Sequence, residues 1–269
     1  MRFHALLLAA SLAIPVASAT AGDFLDEAIA SPARSAEYRA RDVYRHPQQT
    51  LRFFGIRPDL TVVEVWPGEG WFTEILAPYL REQGRYYAAG TASSAPDASP
   101  AAQRAASAFQ QKLDADPERY AKVTVTEFRP PDLVEICPPG SADLVLSFQH
   151  VHNWMTARTE QDAFNAFYRA LKPGGILGLV EHRARPYTTI EETRRTGYVN
   201  EDYVKALAAN AGFEFVAGSA VNANRKDTKD YPQGVWTLPP TLALREQDKD
   251  KYLRIGEPDR MTLKFRKPE

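Results

Sequence analysis

The chain has 269 residues, with 33 Lys and Arg against 34 Asp and Glu and a net charge of −1. So even a balance supplies no broad cationic field, which argues against nucleic acid or an anionic membrane as a main partner. Cys137 is the only cysteine, so no intrachain disulfide can form, and its place beside Pro138 and Pro139 suits a small buried residue better than a nucleophile.

At the N-terminus, Arg2 precedes an apolar stretch, Ala5 to Ala17, interrupted only by Ser11 and Pro15. Ala17-Ser18-Ala19 has the small residues of a cleavage site. Residues 1–19 are therefore expected to be a secretory signal, too short for the ~20 apolar residues that span a bilayer. Its removal implies a periplasmic or secreted protein, and no later segment is long and apolar enough for a membrane span. Residues 20–58 read as a helical arm, polar and arginine-rich from Ser31 to Thr50. Arg41 and Arg45 in it are candidates to bind an acidic substrate, the other reading being a face of solvated salt bridges.

Arg57-Pro58-Asp59 turns the chain into a main domain spanning 59–269. Val62, Val63 and Val65 form a β-branched run suited to a strand covered on both faces, and Phe72, Ile75, Leu76, Tyr79 and Leu80 then repeat at helical spacing. Between them Gly68 and Gly70 permit a sharp turn and close approach of a ligand. Glu64 is placed to accept hydrogen bonds from an amino group or hydroxyl. Trp66 stands where such loops usually have glycine, and Pro67 removes a backbone N–H that could hold an anion. No Lys follows Gly70, so the triphosphate-binding pattern is absent. The loop suits a ligand of little negative charge, with Glu64, Trp66, Pro67, Gly68 and Gly70 as candidate contacts.

A second strand is expected at Arg85 to Ala89, a helix carrying Ala105, Phe109 and Leu113, and a third strand at Val123 to Phe128. The fourth, Ala142 to Phe148, runs into Gln149-His150-Val151-His152-Asn153-Trp154. Open α/β sheets bind ligands at the carboxyl ends of their strands, so chemistry is expected here. Phe148 and Gln149 join the candidate cofactor contacts, and His150 and His152 are candidate bases whose directions a predicted loop leaves open. Asn153 and Trp154 are candidate substrate contacts, the indole able to stack on a planar substrate or on adenine. Thr159 caps a helix that Lys172-Pro173-Gly174-Gly175 stops, and a fifth strand, Ile176 to Val180, delivers Glu181, His182 and Arg183 to the same edge. Arg183 is a further candidate for an acidic substrate. A helix capped by Asn200 precedes a sixth strand at Phe213 to Val216, and Met261 to Phe265 alternates as a seventh. Residues 217–258 between them are expected to form a lid or insertion.

Strands alternating with helices argue a parallel sheet with an antiparallel end. EVWPGEG at Glu64 to Gly70, ADLVLSF at Ala142 to Phe148, LKPGG at Leu171 to Gly175 and the terminal DRMTLKFRKP resemble class I S-adenosylmethionine-dependent methyltransferases. RDVYRHP at Arg41 to Pro47 and HNW at His152 to Trp154 resemble a bacterial group of exported, predicted methyltransferases. The resemblance implies a Rossmann-like α/β fold with a seven-stranded, mostly parallel sheet, its last strand antiparallel and helices on both faces. It also implies S-adenosylmethionine bound over Glu64, Gly68 and Gly70, and a methyl acceptor that the sequence does not identify.

In that class an acid ending the second strand holds the ribose hydroxyls, whereas Tyr87-Ala88-Ala89-Gly90 has none. Losing such a contact costs roughly 1.5–3 kcal/mol. Methyl transfer would draw its base from His150, His152, Glu181 or His182, with His152 the first choice. Two other readings stand beside it. One is a non-catalytic exported module that uses the cleft for another small molecule, favoured by Trp66, Pro67 and the missing acid. The other is a zinc-dependent hydrolase built on His150, His152, His182 and Glu181.

Overall fold

A computed structural model describes residues 21–94 and 98–269, so the expected signal at 1–19 lies outside the described residues. Seven strands, β1 (Thr61–Val65), β2 (Arg85–Thr91), β3 (Val123–Phe128), β4 (Ala142–Phe148), β5 (Leu171–His182), β6 (Glu214–Ser219) and β7 (Arg260–Arg266), form one sheet. Their order is β3-β2-β1-β4-β5-β7-β6. Only β7 runs against its neighbours, pairing antiparallel with both β5 and β6. This is the Rossmann-like α/β class that the alternating elements imply, and the order reverses between β1 and β4, where such sheets open a crevice.

The valines of β1 show why the strand lies at the centre. Val63 and Val65 face one core with Val145, Leu177, Leu179, Phe164, Phe167, Val204 and Leu207, under the helices Glu160–Ala170 and Glu201–Asn210. Val62 faces the other with Leu144, Leu146, Ile75, Leu76, Phe109 and Leu113, under the helices Thr73–Leu80 and Pro100–Ala115. A strand buried on both faces needs an unbroken apolar run, and this one interrupts it only at Glu64.

The N-terminal arm, helices Ala21–Ala30, Ala36–Ala40, Asp42–Arg45 and Pro47–Phe54, belongs to the second core through Leu25, Leu51 and Phe54. Gly178 in β5 makes this docking possible, because a Cβ there would stand 2.6 Å from the Phe54 ring. Between β6 and β7 the chain forms a 3-10 turn, Gly234–Thr237, and a helix, Lys249–Ile255, around a small core of Tyr231, Leu238 and Tyr252.

Several boundaries differ from the sequence expectation. The strand β2 continues to Thr91, and β5 begins at Leu171, taking in LKPGG, because Ala142 pairs with Leu171 and Lys267 donates to the Gly175 carbonyl. Residues 151–157, expected as loop, are the helix Val151–Ala157. The helix Ile190–Thr196 was not foreseen, although its capping box, Thr189 with Glu192, is written in the sequence.

Candidate functional site

A cavity of about 520 Å³ opens over the carboxyl ends of β1, β2 and β3, within the ~300–1,000 Å³ usual for small-molecule sites. Trp66, Pro67 and Gly68 form one wall, Gly90, Thr91 and Ser93 the next, Val125, Thr126 and Glu127 a third, and Phe109 with His150 closes it. At Gly68 the backbone is left-handed, φ +59°, and an added Cβ would meet nothing within 4 Å, so the loop offers bare backbone to a ligand. Glu127 supplies an acid from β3 where β2 has none. Its carboxylate accepts the backbone N–H groups of Ser93 and Ser94, each at 3.0 Å, and the Ser94 hydroxyl, which hold it below the usual carboxylate range.

Trp66 stands where such loops usually have glycine and adopts a left-handed backbone itself, φ 49°. Its N–H still reaches the Ala89 carbonyl at 2.7 Å, and its indole N–H donates to the Phe128 carbonyl at 2.9 Å. The ring therefore lies against Phe128, Trp154 and His150 as the floor of the cavity. Its strained backbone is held by these contacts.

Four candidate cofactor contacts lie outside the cavity wall. Glu64 is 3 % exposed and turns into the second core, where the Thr73 hydroxyl donates to it at 3.1 Å and Tyr86 donates to the same oxygen. Burial pushes its carboxyl up to about 7 against those bonds and the charge of Arg45. Gly70 serves packing, since a Cβ would crowd Lys112, Phe109 and Thr73 at 3.2–3.3 Å. Phe148 stacks on Phe72 with centroids 3.7 Å apart, and Gln149 closes the end of β4 by donating to the Val180 carbonyl at 2.7 Å.

The three histidines separate by environment. His150 Nε2 sits 2.9 Å from the Trp66 carbonyl, which can only accept, so that nitrogen carries the hydrogen. Burial, then the neighbouring His152, pushes its pKa down to about 3. His182 is pushed well below its ordinary value, first by burial and then by His152, Arg260 and Arg45, and its Nδ1 has no hydrogen-bond partner. Neither is a base at neutral pH in this state.

His152 differs from both. The Glu181 carboxylate, fully buried, accepts the backbone N–H of Val151 at 2.6 Å and of His182 at 2.7 Å, which fix it in place. The same carboxylate stands 3.1 Å from His152 Nδ1 and accepts from it, so Nδ1 carries a hydrogen and Nε2 is the ring nitrogen left for proton exchange. The helix Val151–Ala157 starts at this point and gives His152 its direction, with Trp236 of the insertion packed edge-on at 5.8 Å. Glu181, a candidate catalytic group by sequence, is sealed from substrate and acts on His152 as a positioning residue.

The candidate substrate contacts are corrected in part. Trp154 is 1 % exposed among Trp66, Phe128 and Phe167, so it cannot stack on a substrate, whereas Asn153 is exposed. Arg183 forms a two-pronged pair with Asp259 at 2.9 and 3.0 Å. Arg41 reaches Glu257 at 2.7 Å, Arg260 reaches it at 2.8 Å, and Arg45 stands off at 3.6 Å. Among the described residues no group of three or more His, Cys, Asp or Glu could hold a metal ion, which leaves the zinc reading without a ligand set. No described helix is long and apolar enough to cross a membrane.

The fold with its cavity at the β1–β4 crevice is that of class I S-adenosylmethionine-dependent methyltransferases, and comparison with known proteins agrees. A family model described as a methyltransferase domain matches residues 63–179. Among solved structures, a SAM-dependent methyltransferase from Aquifex aeolicus superposes with a TM-score of 0.56 at 15% identity, covering 85% of this chain and 93% of that one. The cyclase SpnF gives 0.56 at 17% identity, over 83% of this chain and 80% of its own. Phospholethanolamine N-methyltransferase 2 from Haemonchus contortus, in complex with phosphomonomethylethanolamine and S-adenosylhomocysteine, gives 0.54 at 15% identity, over 94% of this chain and 61% of that one. At these identities the likeness is one of fold. No curated protein matches the chain in sequence. Over residues 63–179 the chain thus matches a methyltransferase domain, an enzyme domain whose cofactor is S-adenosylmethionine.

The cavity fits that cofactor. Its size is adequate, the Gly68 backbone is bare, and Trp66, Phe109 and Val125 offer apolar surface for a planar base. With Pro67 in the loop, the site lacks a donor that a phosphate would need, which is no loss for a sulfonium nucleoside.

Proposed function

We propose that this protein transfers a methyl group from S-adenosylmethionine to an acceptor whose nucleophile carries a proton, with His152 as the general base. The observation that carries the reading is the His152–Glu181 dyad: a carboxylate locked by backbone N–H groups holds Nδ1–H, so Nε2 is oriented for proton exchange at the carboxyl edge of the sheet. Bound cofactor supplies a methyl already activated on a sulfonium. What remains for the chain is to align the acceptor and accept its proton, and His152 Nε2 suits the second task. Trp66, Pro67, Gly68 and His150 are the cofactor contacts under this reading, with Glu127 in place of the β2 acid. Asn153 and Trp236 border the acceptor.

The reading extends to export. Residues 1–19 have the features of a secretory signal, and RDVYRHP and HNW resemble the exported group, so the mature protein would work in the periplasm or be secreted. Its organisation would be an arm at 20–58 and a domain at 59–269 with an insertion at about 217–258. N-terminal sequencing of protein recovered from the periplasm and medium tests this; a mature protein that still begins at Met1 defeats it.

Calorimetric titration with S-adenosylmethionine and S-adenosylhomocysteine tests the cofactor site. Binding in the micromolar range is expected, and Gly68→Asp, which projects a side chain into the cavity, should weaken it by about a hundredfold or more, ~2.7 kcal/mol. No binding at millimolar ligand would demote methyl transfer and favour the non-catalytic module.

A further inference from the structure

Arg45 is the guanidinium of its cluster whose charge the protein answers least. It closes the short helix Asp42–Arg45 and lies with its guanidinium carbon 4.9 Å from the centroid of the Trp71 ring. Glu257, 3.6 Å away, is already engaged by Arg41 at 2.7 Å and by Arg260 at 2.8 Å. Three cations thus share one carboxylate. Arg45 Nε is sealed from solvent with no hydrogen-bond partner, and the ion pair of Arg45 to Glu257 is the longest of the three.

The other acids nearby are committed. Asp42 is held by Arg34 at 2.7 and 2.9 Å, and Asp259 by Arg183 and Lys229. Glu64 is bonded to Thr73 and Tyr86. A buried cation without a hydrogen-bonded partner is costly, and packing alone gives no reason to keep it. Yet 14 % of the Arg45 side chain remains exposed, enough for a small group to reach it.

The location adds the second half of the argument. Arg45 shares Glu257 with Arg260, which pairs in register with His182 at the end of β5. It therefore lies near the carboxyl end of that strand, the edge where open α/β sheets place their ligands. The His152 ring stands 5.6 Å from that of His182, so the guanidinium and the candidate base lie about the same strand end, between the arm and the insertion.

We propose that Arg45 anchors an oxyanion of the methyl acceptor, a carboxylate or a phosphate, while Arg41 and Arg260 keep Glu257 from taking its place. This deepens the methyl-transfer reading and rests on it for the word acceptor. The guanidinium holds the oxyanion by charge-assisted hydrogen bonds, the acceptor's nucleophile turns toward the sulfonium, and its proton passes to His152 Nε2. The new bond is between that nucleophile and the methyl carbon; the carbon–sulfur bond breaks with its electron pair going to sulfur, leaving a neutral thioether.

Benzoate, phenyl phosphate and neutral benzamide, titrated into the full protein with saturating S-adenosylhomocysteine and followed by calorimetry and Trp fluorescence, test the site. One of the two anions should bind at least about tenfold more tightly than benzamide, and which one does so separates carboxylate from phosphate. Arg45→Gln should abolish that preference, and Arg45→Lys should retain part of it, because an ammonium is a point charge without the planar fork. Arg45→Gln should also melt at the same or a higher temperature than the parent when no anion is present; a purely structural ion pair predicts the opposite. Equal binding of all three probes, or an anion preference that survives Arg45→Gln, overturns the proposal. If S-adenosylhomocysteine fails to bind but an Arg45-dependent anion preference remains, methyl transfer falls and the oxyanion site stands.

Discussion

The two ends of the crevice are built on different physics. Over β1–β3 the wall is mostly apolar, with bare backbone at Gly68 and a cavity of about 520 Å³. Over β4 and β5 the surface is buried and dense in charge, with Glu181, His152, His182, Arg45 and Glu257 packed under the arm and the insertion. A nucleoside can be held by shape and stacking, which need little from ionisable groups. Proton removal needs a base of defined tautomer, and that requires a second group to fix it. Under the proposed function the cofactor end absorbs a departure such as Trp66, whereas the acceptor end depends on single side chains.

The sharpest way to test this contrast is His152→Ala. Turnover on an acceptor should fall about 10²–10⁴-fold, as for loss of a general base, while affinity for S-adenosylhomocysteine stays within about threefold, ~0.7 kcal/mol. Unchanged turnover would remove His152 from the mechanism and make the two ends alike. Next in size is Glu181→Ala, which strips the partner from four buried N–H donors. Urea unfolding should show a loss of about 3–5 kcal/mol, and a loss below 1 kcal/mol would mean that the dyad is not locked as described. Gly178→Ala pushes a Cβ into the Phe54 ring and should cost about 1–3 kcal/mol, with earlier proteolysis of the arm; a silent substitution would show that the arm docks loosely.

The smallest effect is one of pH. His150 is held down at about 3 and His182 is also held well below its usual value, so the stability they confer is complete above pH 6.5 and is lost as pH falls toward their folded values. His150 adds about 1.4 kcal/mol of instability per pH unit in that window. Glu64, raised to about 7, has the opposite sign: its contribution is complete below pH 4.5 and is lost as pH rises through 7. The urea midpoint of His150→Asn should thus fall less than the parent's between pH 7 and 5.5, and that of Glu64→Gln should fall less between pH 6 and 8. Parallel curves for parent and variants would show that these groups titrate as they do in the unfolded chain.

Much of the architecture was legible in residue patterns. The valines of β1, the ADLVLSF of β4 and the alternation in β7 mark buried strands by period and branching alone, and Gly68 marks the turn. The site was legible only as a set of candidates. His150, His152 and His182 have the same intrinsic chemistry and differ in what surrounds them: a carbonyl for His150, a locked carboxylate for His152 and nothing for His182 Nδ1. Trp154 looked exposed because a loop was expected, and the helix Val151–Ala157 turned it into the core. Glu127 was not legible as a cavity residue because β2 carries no acid and only the parallel pairing of β3 beside it brings this acid to the same edge.

Sequence alone determined the class of fold, because apolar period, glycine turns and the succession of strands and helices are local properties carried by consecutive residues. Which histidine is held by a carboxylate, which arginine is left with the longest ion pair and which glycine receives an aromatic ring were decided only by tertiary structure. Each of those outcomes depends on distances between residues far apart in the chain, such as Arg45 and Glu257 or Gly178 and Phe54, and burial then multiplies the consequence by taking away the water that would otherwise satisfy them.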